Sequence, residues 1–165
     1  MPSASIVQLT DDDLGRIVAF LKSLPAQEGP EAQAVTFGPL AYVMFSAPNF
    51  VPVAEEVESV RRGELRPPAA TSAKGERGRY LARTICATCH GYDLGGDPIQ
   101  GRPSLTITAA YSLADLTALL RTGIALGNRE STMTEVAIES LHHLTDSEIS
   151  DLHVYLHDDL VPAGE

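Results

Sequence analysis

The chain contains no tryptophan, only 5 tyrosines and 4 phenylalanines, and just 2 cysteines among 165 residues. With 5% aromatics, a core of this size lacks its usual bulky side chains, which leaves room for something else to fill it. Lysine is confined to Lys22 and Lys74, and 12 basic residues against 22 acidic ones leave a net charge of -10. Such a surface repels phosphates and acidic lipids, so nucleic acid and anionic membranes are excluded as partners. No apolar run approaches the roughly 18 to 20 residues that cross a bilayer, so no membrane span is expected. Met1 to Ser5 has neither a basic nor an apolar region, so no secretory signal is expected in this chain; an exported function would need one that was removed or belongs to a longer precursor. What is present, 44% hydrophobic and 21% charged residues, is a globular composition long enough for one domain with an appendage.

Helical signals dominate the chain. Thr10 followed by Asp11, Asp12 and Asp13 reads as an N-cap with acids in the first turn, and Leu14, Ile17, Val18 and Leu21 continue at helical spacing, predicting a helix over about 11–23. From 25 to 73, Pro25, Pro30, Pro39, Pro48, Pro52, Pro67 and Pro68 predict an extended connector in which Leu40 to Phe45 makes one or two helical turns. From Lys74 a second long helix is predicted, with Gly78, Leu81, Ala82 and Ile85 on its apolar face and Arg77, Arg79 and Arg83 elsewhere, running into Cys86. A loop rich in Gly and Pro follows, then a helix over Leu113 to Thr122 that stops at Gly123. A polar loop from Ala125 to Thr134 contains Met133. The last helix starts at Thr145, with Glu148 completing a capping box, and turns Ile149, Leu152, Tyr155 and Leu156 inward. No segment alternates as a half-buried strand does, so the fold class is all-α. The helix at 11–23 and the last helix also align with each other, Leu9-Thr10-Asp11 on Leu144-Thr145-Asp146 and Phe20-Leu21 on Tyr155-Leu156, at a constant offset of 135 residues (144 minus 9, 155 minus 20).

Both cysteines fall in one run, Cys86-Ala87-Thr88-Cys89-His90. Three chemistries use cysteines this close. In haem attachment both thiols add to the haem vinyl groups and the adjacent histidine binds iron from one face. A thioredoxin-like redox pair belongs at a helix start after a strand, whereas here the motif ends a helix. Zinc held by Cys86, Cys89, His153 and His157 would need a 63-residue gap between Cys89 and His153, far beyond a zinc-finger loop. The spacing favours haem. A second axial ligand is then sought among Met1, Met44 and Met133, and Met133 stands in a loop downstream of the third helix.

The order of motifs over residues 74–160 resembles the class I c-type cytochromes, specifically bacterial domains that serve dehydrogenase electron-transfer chains: Gly78-Arg79-Tyr80-Leu81, Cys86-Ala87-Thr88-Cys89-His90-Gly91, Gly101-Arg102-Pro103-Ser104-Leu105, Leu119-Leu120-Arg121-Thr122-Gly123, Met133, and Leu144-Thr145-Asp146. The resemblance implies a cytochrome c fold, a small helical domain wrapped around one covalent haem c. It implies thioether bonds from Cys86 and Cys89, His90 as the proximal iron ligand and Met133 as the distal one. The carbonyl of Pro103 is implied to fix Nδ1 of His90, and the first and last helices to cross at Gly78 against Tyr155 or Leu152. Arg102, Tyr111 and Arg121 are offered as propionate partners, and His142 or His143 as an alternative distal ligand. His142, His143, His153 and His157 otherwise read as solvated side chains.

The function expected from the resemblance is single-electron transfer rather than catalysis. A periplasmic or membrane-bound dehydrogenase would be the donor and an oxidase or soluble cytochrome the acceptor, with the chain in the periplasm or on the outer face of the cytoplasmic membrane. Rival readings are a haem enzyme or gas sensor with an open sixth site, and an interaction module whose motif is never loaded. The expected organisation is a helix at 1–24 resembling the end of a preceding cytochrome c domain, a Pro-rich linker at 25–73, the haem domain at 74–160 and a tail at 161–165. On that reading the chain is the C-terminal part of a longer multi-haem cytochrome, with Met1 in the place of a distal ligand.

Overall fold

A computed structural model describes residues 3–26, 29, 36–47, 52–98, 101–127 and 132–161. Met1 and the tail beyond 161 lie outside the described residues, and so does the reading of Met1 as a ligand. The described chain is helical. Its one β-type pairing is an isolated bridge between Asp97 and Arg102, and no described helix is long and apolar enough to cross a membrane.

Helix α1 spans Ser3–Ile6 and α2 spans Asp11–Ser23, the latter capped by Thr10 as its sequence predicts. Within the proline-rich stretch, helix α3 covers Pro39–Phe45, where helical turns were expected at Leu40 to Phe45, and α4, Val53–Arg62, corrects the expectation of extended chain there. The prolines stand where helices tolerate them: Pro39 opens α3, and Pro52 is the N-cap of α4. Glu55 and Glu56 in the first turn of α4, Arg61 and Arg62 in its last, and the left-handed Gly63 cap complete the second helix. Val60 of α4 is buried in the common core, with Val57 packed against it.

Helix α5 (Ala73–Leu81) passes through a wider π-type turn at Ala82–Cys86 into α6 (Ala87–His90). Thr84 contributes to that widening by bonding its hydroxyl to the carbonyl of Tyr80 at 2.9 Å. The extra residue in the turn rotates the helix, so Ile85 is exposed rather than continuing the apolar face. Arg79, expected away from the core, is buried; it donates to the carbonyl of Pro67 at 3.3 Å and to Glu76 at 3.4 Å. A 3-10 turn at Leu105–Ala110 leads into α7 (Leu113–Thr122), then α8 (Thr132–Glu139), a short turn at Leu141–His143 and α9 (Asp146–Val154), which runs on through a second π-type turn at Tyr155–Asp159.

Helices α5 and α9 make the central contact. They cross at Gly78, where an added Cβ would lie 2.6 Å from the backbone carbon of Asp151 and 2.8 Å from Cβ of Tyr155. Tyr155 thus meets the glycine, one of the two residues expected there. Arg77 closes the crossing from outside with a two-pronged pair to buried Asp151 at 2.7 and 3.2 Å. The residues just before α5 are bonded to the same crossing. Tyr155 Oη donates to the carbonyl of Pro68 at 2.9 Å, and Thr71 gives its N–H and hydroxyl to Asp159 at 3.0 and 2.6 Å. Leu94, Leu105, Tyr111, Leu116, Leu119, Leu120, Leu141, Ile149, Leu152 and Leu156 continue the core around α9.

Candidate functional site

The C-x-x-C-H run lies on the end of the α5–α6 helix, so its two thiols stand about one helical turn apart. Cys86 is half-buried and packs on the core, whereas Cys89 is exposed, and neither is in a disulfide. Burial, reinforced by the neighbouring Cys89, pushes the Cys86 thiol up to about 12. A thiol held this firmly neutral is a poor redox nucleophile in the free chain.

His90 ends the helix, and its Nδ1 lies 2.8 Å from the carbonyl oxygen of Pro103. A carbonyl only accepts, so Nδ1 carries the proton and Nε2 keeps its lone pair for a metal. The loop that brings Pro103 to His90 is tied at several points. Gly96 N–H donates to the carbonyl of His90 at 2.8 Å, Asp97 and Arg102 exchange bonds at 2.9 and 2.8 Å, and Leu105 N–H donates to the carbonyl of Leu94 at 3.0 Å. Leu94 is fully buried at φ 64°, a conformation that costs a non-glycine residue energy and holds only because the packing around it is firm. Gly96, at φ 78°, lies so close to the chain carrying Pro103 that a Cβ would sit 2.5 Å from Ser104 N and 2.7 Å from the carbonyl carbon of Pro103. The sequence marks this stretch only as a loop rich in Gly and Pro; the close approach at Gly96 is a tertiary fact.

Met133 does not lie in a loop. It occupies the first turn of α8, half-buried, and packs with Ala125 and Val136 on the same core as Cys86. The start of α8 is fastened to the end of α7, since Thr134 Oγ1 donates to the carbonyl of Gly123 at 2.9 Å. The polar residues around Met133 hid the helix, because their value lies in this tie rather than in an apolar stripe.

The remaining residues divide. Tyr111 is buried, its hydroxyl accepting from Leu126 N–H at 3.3 Å and its carbonyl accepting from His153 Nε2 at 3.0 Å. Arg102 is half-buried beside Pro103. Arg121 donates from its guanidinium to the carbonyl of His142 and to Asp146 at 2.8 Å, fastening α7 to the turn before α9. The rings of His142 and His143 lie 3.8 Å apart, tilted by 39°, and Nδ1 of His142 is buried with no partner among the described residues. His153 and His157 stack on each other at 5.2 Å. Among the described residues, no three His, Cys, Asp or Glu side chains converge on a metal position, so the Cys2His2 alternative is not assembled. A recess of about 250 Å³ lined by Asp115, Ala118, Ile124, Ala125, Leu126 and Gly127 contains none of the sulfur or imidazole groups. The donor set marks the site.

The sequence family described as Cytochrome c matches residues 75–158, just over half of the chain. The chain belongs to the cytochrome c family. Comparison with curated proteins and with solved structures gives no match. As a cytochrome c it has the all-α fold of that family, takes covalent haem c with its iron, and has a haem-based role in electron transfer. The residues present fit that group: two thiols a turn apart, an imidazole with a fixed protonated nitrogen, and a thioether on the same core.

Proposed function

We propose that this cytochrome c is a single-electron carrier in which Cys86 and Cys89 would hold haem c by thioether bonds and His90 and Met133 would bind its iron. Haem c supplies reversible one-electron iron chemistry when bound. The observation that carries the reading is the 2.8 Å contact from His90 Nδ1 to the Pro103 carbonyl, which fixes the imidazole tautomer and aims Nε2 away from the loop. Met133 supports it, since a soft thioether packed on the core would suit an electron-transfer iron and raise its potential. With His90 and Met133 both given to the iron, the chain's own residues would bind and orient the group and leave no ligand place for a substrate. Tyr111, whose hydroxyl accepts from Leu126 and keeps its proton to donate, and Arg102 are the propionate contacts in this reading.

The proposed donor is a dehydrogenase, of which this chain is a candidate subunit, and the proposed acceptor is an oxidase or another cytochrome. The proposed place is the periplasm or the outer face of the cytoplasmic membrane. A net charge of -10 suits docking on basic patches of such partners and speeds encounter at low salt. Potentiometric titration of the haem-loaded protein tests the proposal. A single one-electron wave, with a ferrous form that does not take up carbon monoxide, is expected. Rapid carbon monoxide binding or peroxide turnover would overturn it in favour of an open-site enzyme or sensor.

A further inference from the structure

The end of the last helix carries two histidines that the carrier reading leaves unused. His153 stands in the final turn of α9 and His157 in the π-type turn that continues it, four residues further on. That spacing brings two side chains to one face of a helix, as in paired-histidine zinc sites. Each Cα–Cβ bond tilts toward the helix N-terminus, so His157 leans back over the turn that carries His153. Their ring centres are 5.2 Å apart and their planes differ by 20°. Two imidazoles on one tetrahedral zinc ion, at about 2.0 to 2.1 Å per bond, hold their ring centres about 5 Å apart.

Hydrogen bonds to oxygen fix which nitrogen of each ring is free. Nε2 of His153 lies 3.0 Å from the carbonyl oxygen of Tyr111, which only accepts, so Nε2 carries the proton and Nδ1 keeps its lone pair. Nδ1 of His157 lies 2.8 Å from the carboxylate of Asp158, so here the proton is on Nδ1 and Nε2 keeps the lone pair. The free nitrogens are thus the near one of His153 and the far one of His157. A side chain leaning back from the next turn brings that combination together. Metal-binding histidines ordinarily hand their other N–H to a carbonyl or a carboxylate in this way. His142 and His143 lack the arrangement, since their planes are tilted by 39° and Nδ1 of His142 has no partner among the described residues.

We propose that His153 and His157 form a second metal site on this chain, for a divalent first-row cation that prefers imidazole, with zinc as its redox-inert representative. Imidazole suits zinc, copper and nickel, whereas calcium and magnesium take oxygen ligands. The site is accessible, because the side chains of His157 and Asp158 are 46% and 60% exposed. Only two protein ligands are present, so the remaining places on the ion fall to water. Asp158 and the net charge of -10 raise the local concentration of cations. A bound ion would clamp the π-type turn onto α9. That turn carries Tyr155 and Asp159, which bond to Pro68 and Thr71 ahead of α5. Neither histidine belongs to the proposed haem ligands, so the inference stands apart from the carrier reading.

The test is calorimetric titration of zinc chloride into the full-length, haem-loaded protein, with thermal melts alongside. One zinc ion per chain is expected to bind and to raise the melting temperature. His157→Gln, at an exposed position, and His153→Gln are each expected to weaken zinc binding at least tenfold and to remove the zinc-dependent rise in melting temperature. His143→Gln changes neither. Absence of zinc uptake by the wild-type protein, or uptake that keeps its wild-type affinity in His157→Gln, overturns the inference. Neither outcome touches the potentiometric test of the carrier itself.

Discussion

Gly96 and Pro103 lie against each other across the loop that carries the imidazole partner, with room for no side chain at residue 96. The Pro103 carbonyl can reach His90 only because Gly96 holds a φ of 78° without a Cβ. The loop glycine therefore sets the orientation of the His90 ring through Pro103, while its own N–H holds the His90 backbone.

Gly96→Ala is predicted to cost about 2 kcal/mol or more, from left-handed strain and displacement of the 102–104 backbone. Weakening the hydrogen bond to Nδ1 also lowers the basicity of the imidazole, so the midpoint potential rises. Thermal melts and potentiometry of the haem-loaded variant check both effects; wild-type values for both would contradict this role.

Gly78→Ala tests the crossing of α5 and α9. A methyl group there meets the Asp151 backbone and Tyr155 Cβ, and overpacking against backbone predicts a loss of about 3 kcal/mol. Gly15→Ala serves as the comparison, because its Cβ meets nothing within 4 Å. Urea unfolding should separate the two variants, with no loss for Gly15→Ala.

Much of this architecture was legible in residue patterns with local causes. The caps at Thr10 and Thr145, the stop at Gly123 and the helix Leu113–Thr122 follow from short-range hydrogen bonding and apolar spacing. Helix α4 was hidden by prolines that break helices in the interior but sit outside this one. Ile85 and Arg79 went astray because a wider turn shifted the helix register and because the carbonyl of Pro67, twelve residues away, gives Arg79 a buried partner. At the site, the attachment run announces itself in five consecutive residues. The work of Gly96 and Thr134 depends on contacts with other segments, which no local pattern encodes.

Tyr155 predicts an alkaline limit to stability. Burial pushes its hydroxyl from 10.0 up to about 12, while the charge of Arg79 acts in the opposite direction. The folded state thus favours the neutral phenol. Its contribution is fully present below about pH 10 and is lost as pH rises towards about 12, in total about 2 kcal/mol. Tyr155→Phe should lose about 1 kcal/mol at neutral pH with the bond to Pro68 and show a flatter alkaline decline. Urea midpoints across that window, compared with wild type, check the difference; identical slopes would contradict it.

The central claim is that His90 and Met133 together close the iron, and the ferric optical spectrum tests it most directly. The wild-type protein is predicted to show the charge-transfer band of a methionine sulfur on low-spin iron. Met133→Ala should abolish that band, lower the midpoint potential and admit carbon monoxide to the ferrous form, while His142→Ala leaves all three unchanged. A Met133→Ala protein with the wild-type spectrum and potential would contradict the account and move the distal ligand to His142 or His143.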